Sequence, residues 1–110
     1  MAKNNPESVI QSAICEYLAL RHAFFIRLNN IPGLYMDATG QKRFRKMGKY
    51  ARHGLADILV IKDGRPIFLE VKSEKGKPSP DQITFGTDAI KAGAAYHIVR
   101  SIQNVQTIGF

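Results

Sequence analysis

The sequence predicts an α/β fold in which a mixed β-sheet is flanked by helices. Apolar residues recur at helical spacing near the N-terminus, and a second helical segment begins after residue 79. Two β-branched and aromatic runs flank Asp63-Gly64, and a further run of this kind follows the second helical segment. A strand reached through a crossover helix pairs in parallel with its predecessor. The predicted order is therefore helix, strand, hairpin, helix, strand, with three consecutive strands between the helices (αβββαβ).

The first helix is predicted to run from residue 6 to about residue 21. Asn5 is a suitable N-cap, Pro6 fits the first helical position, and Glu7 lies in the first turn, where the helix dipole favours an acid. The apolar residues at helical spacing are Val9, Ile10, Ala13, Ile14, Tyr17 and Leu18. Residues 23–28 then have strand character and are expected to form the first strand.

The Asp63-Gly64 pair is the strongest hairpin signal in the chain. If these residues form a type I′ turn, Val60 pairs with Ile67 and Ile58 pairs with Leu69. Both strands are apolar on both faces, which is typical of strands at the centre of a sheet. The sequence therefore predicts a buried central hairpin.

Continuing this register by one pair places Asp57 opposite Glu70. Such a non-hydrogen-bonded pair has Cα atoms about 4.5 Å apart, and two carboxylates there repel each other unless a cation lies between them. The period of two places Lys72 on the same face as Glu70, while Val71 points to the other face. The pattern therefore indicates a divalent-cation site beside an ammonium group. The alternative is that Asp57 ends a strand as a turn residue and that Glu70 and Lys72 form a solvated sheet edge.

The span from residue 37 to residue 54 is basic and contains few apolar residues. Its basic residues are Lys42, Arg43, Arg45, Lys46, Lys49, Arg52 and His53, with Phe44 and Tyr50 interleaved. We expect a long loop here, and a loop of this length in a compact domain is usually functional or disordered. It is interpreted as a surface that contacts phosphates, with a solvated charged loop as the alternative.

The second helix begins with a capping box at Ser79 and Gln82, has Pro80 at its first position and is predicted to end near Gly93. Residues 95–100 form the predicted last core strand. Ser101 is expected to cap a short helix that continues through Val105.

Composition favours one domain with a polyanionic partner. The 110 residues, predicted to form a single domain, contain 16 Lys and Arg against nine Asp and Glu, a formal charge of +7. No apolar stretch approaches the roughly 18 residues of a membrane span, so nucleic acid is favoured over a membrane. The single Cys15 excludes an intramolecular disulfide and is interpreted as a small buried apolar side chain. Together with the absence of a signal-peptide pattern, it favours a reducing cytoplasm.

These residues resemble the core of PD-(D/E)XK nucleases. The resemblance rests on the entry segment 54–57, the apolar strand, the tight turn and Glu70-Val71-Lys72. The rest of the chain is similar to the small virus-type VRR-NUC branch, at Glu7 and Gln11, at Arg27-Leu28-Asn29, at Ser79 and Gln82, and over residues 93–100. Ala56 stands where the family usually has Pro, at a position that shapes the strand entry and donates no ligand. The implied fold is the restriction-endonuclease-like core.

The resemblance implies an endonuclease that depends on Mg²⁺ or Mn²⁺. Asp57 and Glu70, with the Val71 carbonyl by the family's pattern, would bind the ion through the hard oxygen atoms that such cations prefer. Lys72 would orient the attacking water or stabilise negative charge on the phosphate.

Two further residues have two interpretations each. Glu7 either holds a second ion through water, as the resemblance implies, or is only a helix-dipole partner. Gln82 either contacts the active site or serves the capping box. The three histidines, His22, His53 and His97, do not cluster at metal-ligand spacing.

The predicted function is a structure-selective DNA endonuclease, specifically a homodimeric resolvase of four-way (Holliday) junctions. One chain carries one active site, whereas resolution needs two symmetric cuts, so a two-fold dimer matches the substrate. The expected DNA contacts are Arg27 and the basic span. The candidate dimer interface consists of Ile31, Leu34, Tyr35 and Met36. The alternatives are a non-catalytic basic nucleic-acid-binding module and a flap or nicking nuclease. A sequence-specific restriction enzyme normally needs more chain. A bacterial cytoplasm is the expected location, and a phage-encoded protein is consistent with the resemblance.

Overall fold

The computed structural model describes residues 6–28, 33–36, 39–45, 50 and 52–110, with only the backbone described for residues 33–36 and 42–45. Within these ranges the elements are α1 (Pro6–Leu20), β1 (Phe24–Arg27), β2 (Gly33–Met36), β3 (Lys42–Arg45), β4 (Ile58–Lys62), β5 (Arg65–Val71), α2 (Pro80–Lys91), β6 (Ala95–Val99) and α3 (Ile102–Ile108). None of the described helices is long and apolar enough to cross a membrane.

Four strands form the main sheet in the order β1-β4-β5-β6. β4 pairs antiparallel with both β1 and β5, whereas β5 and β6, which are joined through α2, pair in parallel. The predicted mixed α/β sheet, with the hairpin strands at its centre, is therefore confirmed.

The predicted hairpin register is confirmed from the turn to Ile58 and Leu69. Asp63 and Gly64 have φ values of 52° and 77°, and a type I′ turn requires positive φ at both of its central residues. The turn sequence thus determines which residues face each other along the whole hairpin.

The two faces of the sheet pack against different helices. On one face, alternate residues of β4 and β5 form the core together with α1 and α3. The fully or nearly buried members are Ile14, Leu18, Ile58, Val60, Ile67, Leu69, Val71, Val99 and Val105. On the other face, Phe85 of α2 packs edge-on against Phe68, with ring centroids 5.0 Å apart. Val71 and Glu70 are adjacent in β5, so the core and the charged group lie on opposite sides of one strand.

The predicted long loop from residue 37 to residue 54 is wrong in part, because Lys42–Arg45 form strand β3. This strand pairs antiparallel with β2, and the register places Phe44 opposite Leu34. The loop prediction used the basic charge and the scarcity of apolar residues in this span, whereas the pairing partner lies upstream of it. Asn5, Ile31, Lys46 and Lys49 lie outside the described residues.

Helix α3 continues to Ile108, three residues beyond the predicted end at Val105. Val105 is fully buried, and Ile108 packs against the same core, so the additional turn has an apolar contact. Gly109 follows with a φ of 126° and ends the helix. Cys15 is half-buried and packs beside this core, in agreement with its predicted apolar role.

Candidate functional site

The candidate site lies where the chain enters β4 and leaves β5. Gly54 has a φ of +74°, and a Cβ on it would overlap the Asp81 carbonyl at the start of α2. Two residues later Ala56 is buried, with 1% of its surface exposed. Only glycine satisfies both the backbone conformation and the close approach to α2. The entry segment therefore holds Asp57 at a fixed position between the hairpin and this helix.

Asp57 is bound to β5 through both its backbone and its side chain. Its N–H donates to the Leu69 carbonyl at 3.1 Å, and its Oδ2 accepts from the Val71 N–H at 2.7 Å. The ladder ends at Ile58 and Leu69, so the predicted regular pair of Asp57 with Glu70 is not part of it. Asp57 and Ile58 both face Leu69, which is the arrangement of a β-bulge and redirects the Asp57 side chain along β5.

Glu70 is a buried carboxylate of which only one oxygen accepts a hydrogen bond. Only 1% of the residue is exposed; Oε1 accepts from Gln82 Nε2, and Oε2 has no hydrogen-bond partner. Burial raises the pKa of Glu70 to about 8, and the negative charge of Asp57 acts in the same direction. Burial also raises the pKa of Asp57. In the absence of a cation, the two carboxyl groups therefore retain a proton at neutral pH.

Lys72 lies beside Glu70, as the period of two predicts. Its Nζ is 3.8 Å from Glu70 Oε1 and 4.0 Å from Glu7 Oε1. The residue is 9% exposed, so the ammonium group is largely removed from water. Helix α1 thus brings Glu7 to the same ammonium group, and Glu7 is more than a helix-dipole partner.

Gln82 both completes the capping box and contacts Glu70. The Ser79 N–H donates to Gln82 Oε1 at 2.8 Å, and the Gln82 N–H donates to Ser79 Oγ at 3.2 Å, which completes the capping box. The remaining side-chain group, Nε2, donates to Glu70 Oε1. The cap therefore fixes the orientation of the amide that contacts the buried carboxylate.

The donor set fits a hard divalent cation. Asp57 and Glu70 supply carboxylate oxygens, and Glu70 Oε2 is a buried acceptor that lacks a protein donor. Among the described residues, no group of three or more His, Cys, Asp or Glu side chains could hold a metal ion. Two carboxylates without a histidine or thiolate cluster suit Mg²⁺ or Mn²⁺, which retain several waters, and do not suit a structural zinc site.

Sequence reasoning missed Arg100 and Tyr96. Arg100 Nη1 donates to the carbonyls of Ser73 at 2.5 Å and Gly76 at 2.7 Å, in the connection that follows Lys72. Its position one residue after the parallel strand β6 is the only signal available in the sequence. The Tyr96 hydroxyl is buried without a partner, and burial, followed by the charge of Glu70, raises its pKa to about 12.

The predicted DNA-binding residues differ in their distance from the candidate site and in whether their side chains are described. Arg27 lies in β1 opposite Ile58, next to the site, and its Nε donates to Gln11 Oε1 at 2.6 Å. Arg52 forms an ion pair with Asp88 at 2.7 Å, and its guanidinium lies 5.8 Å from the centre of the Phe85 ring. Lys42, Arg43 and Arg45 lie in β3, where only the backbone is described.

Comparison with solved structures agrees with this architecture. A structure described as "VRR_NUC domain" superposes with a TM-score of 0.64 and 24% sequence identity, covering 96% of this chain and 95% of that one. A second, "VRR_NUC domain protein", gives a TM-score of 0.61 and 15% identity, over 97% of this chain and 87% of the other. No family model matches the sequence, and no curated protein matches it. The chain therefore has the fold of VRR_NUC domains, as the sequence resemblance implied.

Proposed function

We propose that the chain is a metal-dependent DNA endonuclease that hydrolyses phosphodiester bonds, with residues 1–110 as one nuclease domain. The supporting observation is the buried Glu70 carboxylate beside Asp57, with the Lys72 ammonium 3.8 Å from its Oε1. The likeness to VRR_NUC domains is consistent with this assignment. Burying a carboxylate beside another one is unfavourable, and a cation bound between them would offset the cost.

The Mg²⁺ or Mn²⁺ ligands in this proposal are Asp57, Glu70 and the Val71 carbonyl. When bound, the cation supplies positive charge that polarises a phosphodiester and favours ionisation of a nearby water. Gln82 binds Glu70 Oε1, so Oε2, which has no hydrogen-bond partner, would be the Glu70 atom that holds the ion. Glu7 is assigned to a second ion through water.

Lys72 is proposed to act on the phosphate or on the attacking water. Two carboxylates within 4.0 Å keep its side chain in place, and its burial removes competing solvent. An ammonium group in such surroundings either stabilises negative charge that develops on the phosphate oxygens or orients the nucleophilic water.

The DNA is proposed to contact Arg27, the basic residues of β3, and the basic residues after β3 as far as Arg52. The proposed phosphate contacts are Arg27, Lys42, Arg43, Arg45, Lys46, Lys49 and Arg52. The formal charge of +7 supports a polyanionic partner. A non-catalytic module would share this charge, but phosphate binding alone does not require a buried carboxylate of Glu70 beside a partly buried Asp57. This pair of carboxylates therefore favours the catalytic function.

The proposed substrate is a four-way junction, which a homodimer of this chain would cut. The proposed location is the bacterial cytoplasm, and the gene could be carried by a phage. Two symmetric cuts on opposing strands match two active sites related by a two-fold axis. The proposed interface includes Ile31, Leu34, Tyr35 and Met36; the last three lie in β2 rather than in an irregular segment.

Cleavage of duplex, flap and four-way junction DNA, with Mg²⁺ and with EDTA, tests the proposal. Wild type is expected to cut only with Mg²⁺. Cutting should be abolished, without loss of folding, in the double variant Asp57→Ala, Glu70→Ala and in the single variant Lys72→Ala. Glu16→Ala, which removes an exposed acid of α1, is the matched control and is expected to cut normally. Wild-type cleavage by the double variant would refute the metal site.

Light scattering at the assay concentration tests the dimer, and mapping of cuts on a mobile junction tests the substrate. A monomer that nicks one strand would refute the resolvase assignment but leave the nuclease assignment intact. Cleavage of flaps in preference to junctions would have the same consequence.

A further inference from the structure

Arg100 connects the end of β6 to the segment that follows Lys72. Val71 and Val99 are partners in the parallel ladder, and the Lys72 N–H donates to the Val99 carbonyl at 3.0 Å. Arg100 therefore lies immediately after the strand position that holds Lys72. Parallel strands that end together bring the residues that follow them to the same edge of the sheet.

The guanidinium of Arg100 binds the backbone of residues 73–76. Nη1 donates to the carbonyls of Ser73 at 2.5 Å and Gly76 at 2.7 Å, with a longer contact of 3.4 Å to Glu74. A charged donor makes stronger hydrogen bonds than a neutral one. Arg100 thereby holds both ends of a short turn, which is also closed by the Gly76 N–H bonding to the Ser73 carbonyl at 3.1 Å.

This turn packs against Glu7. A Cβ built on Gly76 would lie 3.3 Å from Glu7 Oε2 and 3.0 Å from Ser73 Oγ, so the backbone of the turn lies directly beside that carboxylate. The other oxygen, Glu7 Oε1, is 4.0 Å from Lys72 Nζ. A displacement of the turn would therefore change the position of Glu7 relative to Lys72.

The backbone of Arg100 is itself held by α3. Its N–H donates to Asn104 Oδ1 at 2.8 Å, and the Asn104 N–H donates to the N-cap Ser101 Oγ at 3.1 Å. The first turn of α3, which anchors the helix on the core through Val105, thus provides a fixed base for the guanidinium.

We propose that Arg100 is a positioning residue that holds the turn 73–76 and, through it, the Glu7 and Lys72 side chains of the candidate site. This inference rests on the proposed nuclease function for its kinetic consequence. Its structural consequence, an ordered turn, does not depend on catalysis.

The test compares Arg100→Gln with Gly76→Ala, which crowds the same turn against Glu7, by three measurements. Hydrogen exchange in EDTA is expected to rise at residues 73–77 and not in β4. Single-turnover cleavage with Mg²⁺ is expected to fall at least tenfold in both variants, while DNA affinity in EDTA changes less than twofold. Arg65→Gln, at the hairpin end remote from Glu70, controls for the lost charge. Ile108→Ala controls for a general loss of stability; both controls should cleave normally well below their melting temperatures.

Unchanged exchange at residues 73–77 in Arg100→Gln would overturn the proposal. Loss of DNA affinity in proportion to the cleavage rate would also overturn it, because Arg100 would then be a phosphate contact. If wild type cleaves no DNA, the nuclease proposal fails, and the exchange measurement still decides whether Arg100 orders the turn.

Discussion

Gln82 joins the first turn of α2 to the buried carboxylate of Glu70. Its Oε1 accepts from the Ser79 N–H at 2.8 Å, and its Nε2 donates to Glu70 Oε1. Both ends of the amide are therefore used, and neither bond can be changed without affecting the other. The arrangement makes the helix cap a part of the candidate site, since it determines which oxygen of Glu70 remains open.

The first prediction separates the two roles of Gln82. Ser79→Ala removes only the cap and is expected to cost about 1 kcal/mol of unfolding free energy. Gln82→Ala keeps the backbone N–H bond to Ser79 Oγ, removes the reciprocal bond from the Ser79 N–H, and also leaves a buried Glu70 oxygen without a donor, which adds about 1–3 kcal/mol at pH 7. Urea denaturation of both single variants and the double variant measures this difference. Equal losses for the two single variants would show that the bond to Glu70 contributes nothing.

The second prediction concerns repulsion in the metal-free protein. Glu70→Gln keeps the shape of the side chain and an oxygen that can accept from Gln82, but removes the buried member of the carboxylate pair formed with Asp57. In EDTA at pH 9 we expect the variant to be more stable than wild type by about 1 kcal/mol or more, and to be inactive with Mg²⁺. Thermal melting and cleavage assays check these outcomes. Glu16→Gln, at an exposed position of α1, should change stability by less than about 0.5 kcal/mol. A lower stability of Glu70→Gln would contradict the repulsion.

The third prediction is a pH dependence of stability without metal. The folded-state pKa of Glu70 is about 8, against an ordinary value of 4.5. Between these values the folded protein holds a proton that the unfolded chain has released, so the unfolding free energy falls as pH rises. The slope from this single group approaches about 1.4 kcal/mol per pH unit. The raised pKa of Asp57 acts in the same direction.

Denaturation in EDTA across pH 5 to 9 measures this slope. Adding Mg²⁺ is expected to flatten the profile, because the cation binds the deprotonated carboxylates. Glu70→Gln should lose most of the slope in EDTA. A wild-type stability that rises with pH over this range would be incompatible with the raised pKa.

The fourth prediction concerns two basic residues of β3, Arg43 and Arg45, together with Lys46, which follows them in the sequence. Replacing Arg43, Arg45 and Lys46 with Ala should weaken DNA binding and lower the slope of log affinity against log salt by roughly 0.9 for each lost phosphate contact. Fluorescence anisotropy in EDTA at several salt concentrations measures the slope without cleavage. The matched control is a variant with the exposed Lys91 and Arg65 changed to Ala. If the triple variant retains the wild-type slope, β3 lies away from the DNA.

The hairpin and the sheet could be predicted because local signals determine them. Asp63-Gly64 specifies the turn, and alternation from the turn then gives every pair as far as Ile58 and Leu69. Strand β3 could not be predicted in the same way. Its residues are mostly basic, and its partner β2 is separated from it by residues with turn character, so charge obscured the pairing signal.

The relative positions of the candidate residues could be predicted better than their contacts. Alternation along β5 correctly placed Lys72 beside Glu70. It could not reveal that Asp57 lies in a bulge and bonds to the Val71 N–H, because a bulge breaks the period on which the argument depends. The contacts of Arg100 connect residues distant in the sequence through backbone carbonyls, which carry no side-chain pattern.

The candidate site draws on four parts of the chain that are distant in sequence: Glu7 of α1, Asp57 at the entry to β4, Glu70 and Lys72 at the end of β5, and Gln82 of α2. A cation held by the carboxylates of Asp57 and Glu70 would bind only the assembled chain, and by mass action it would stabilise all of it. Binding of Mg²⁺ at this edge of the sheet would therefore protect even the distant turn at Asp63-Gly64 from global unfolding.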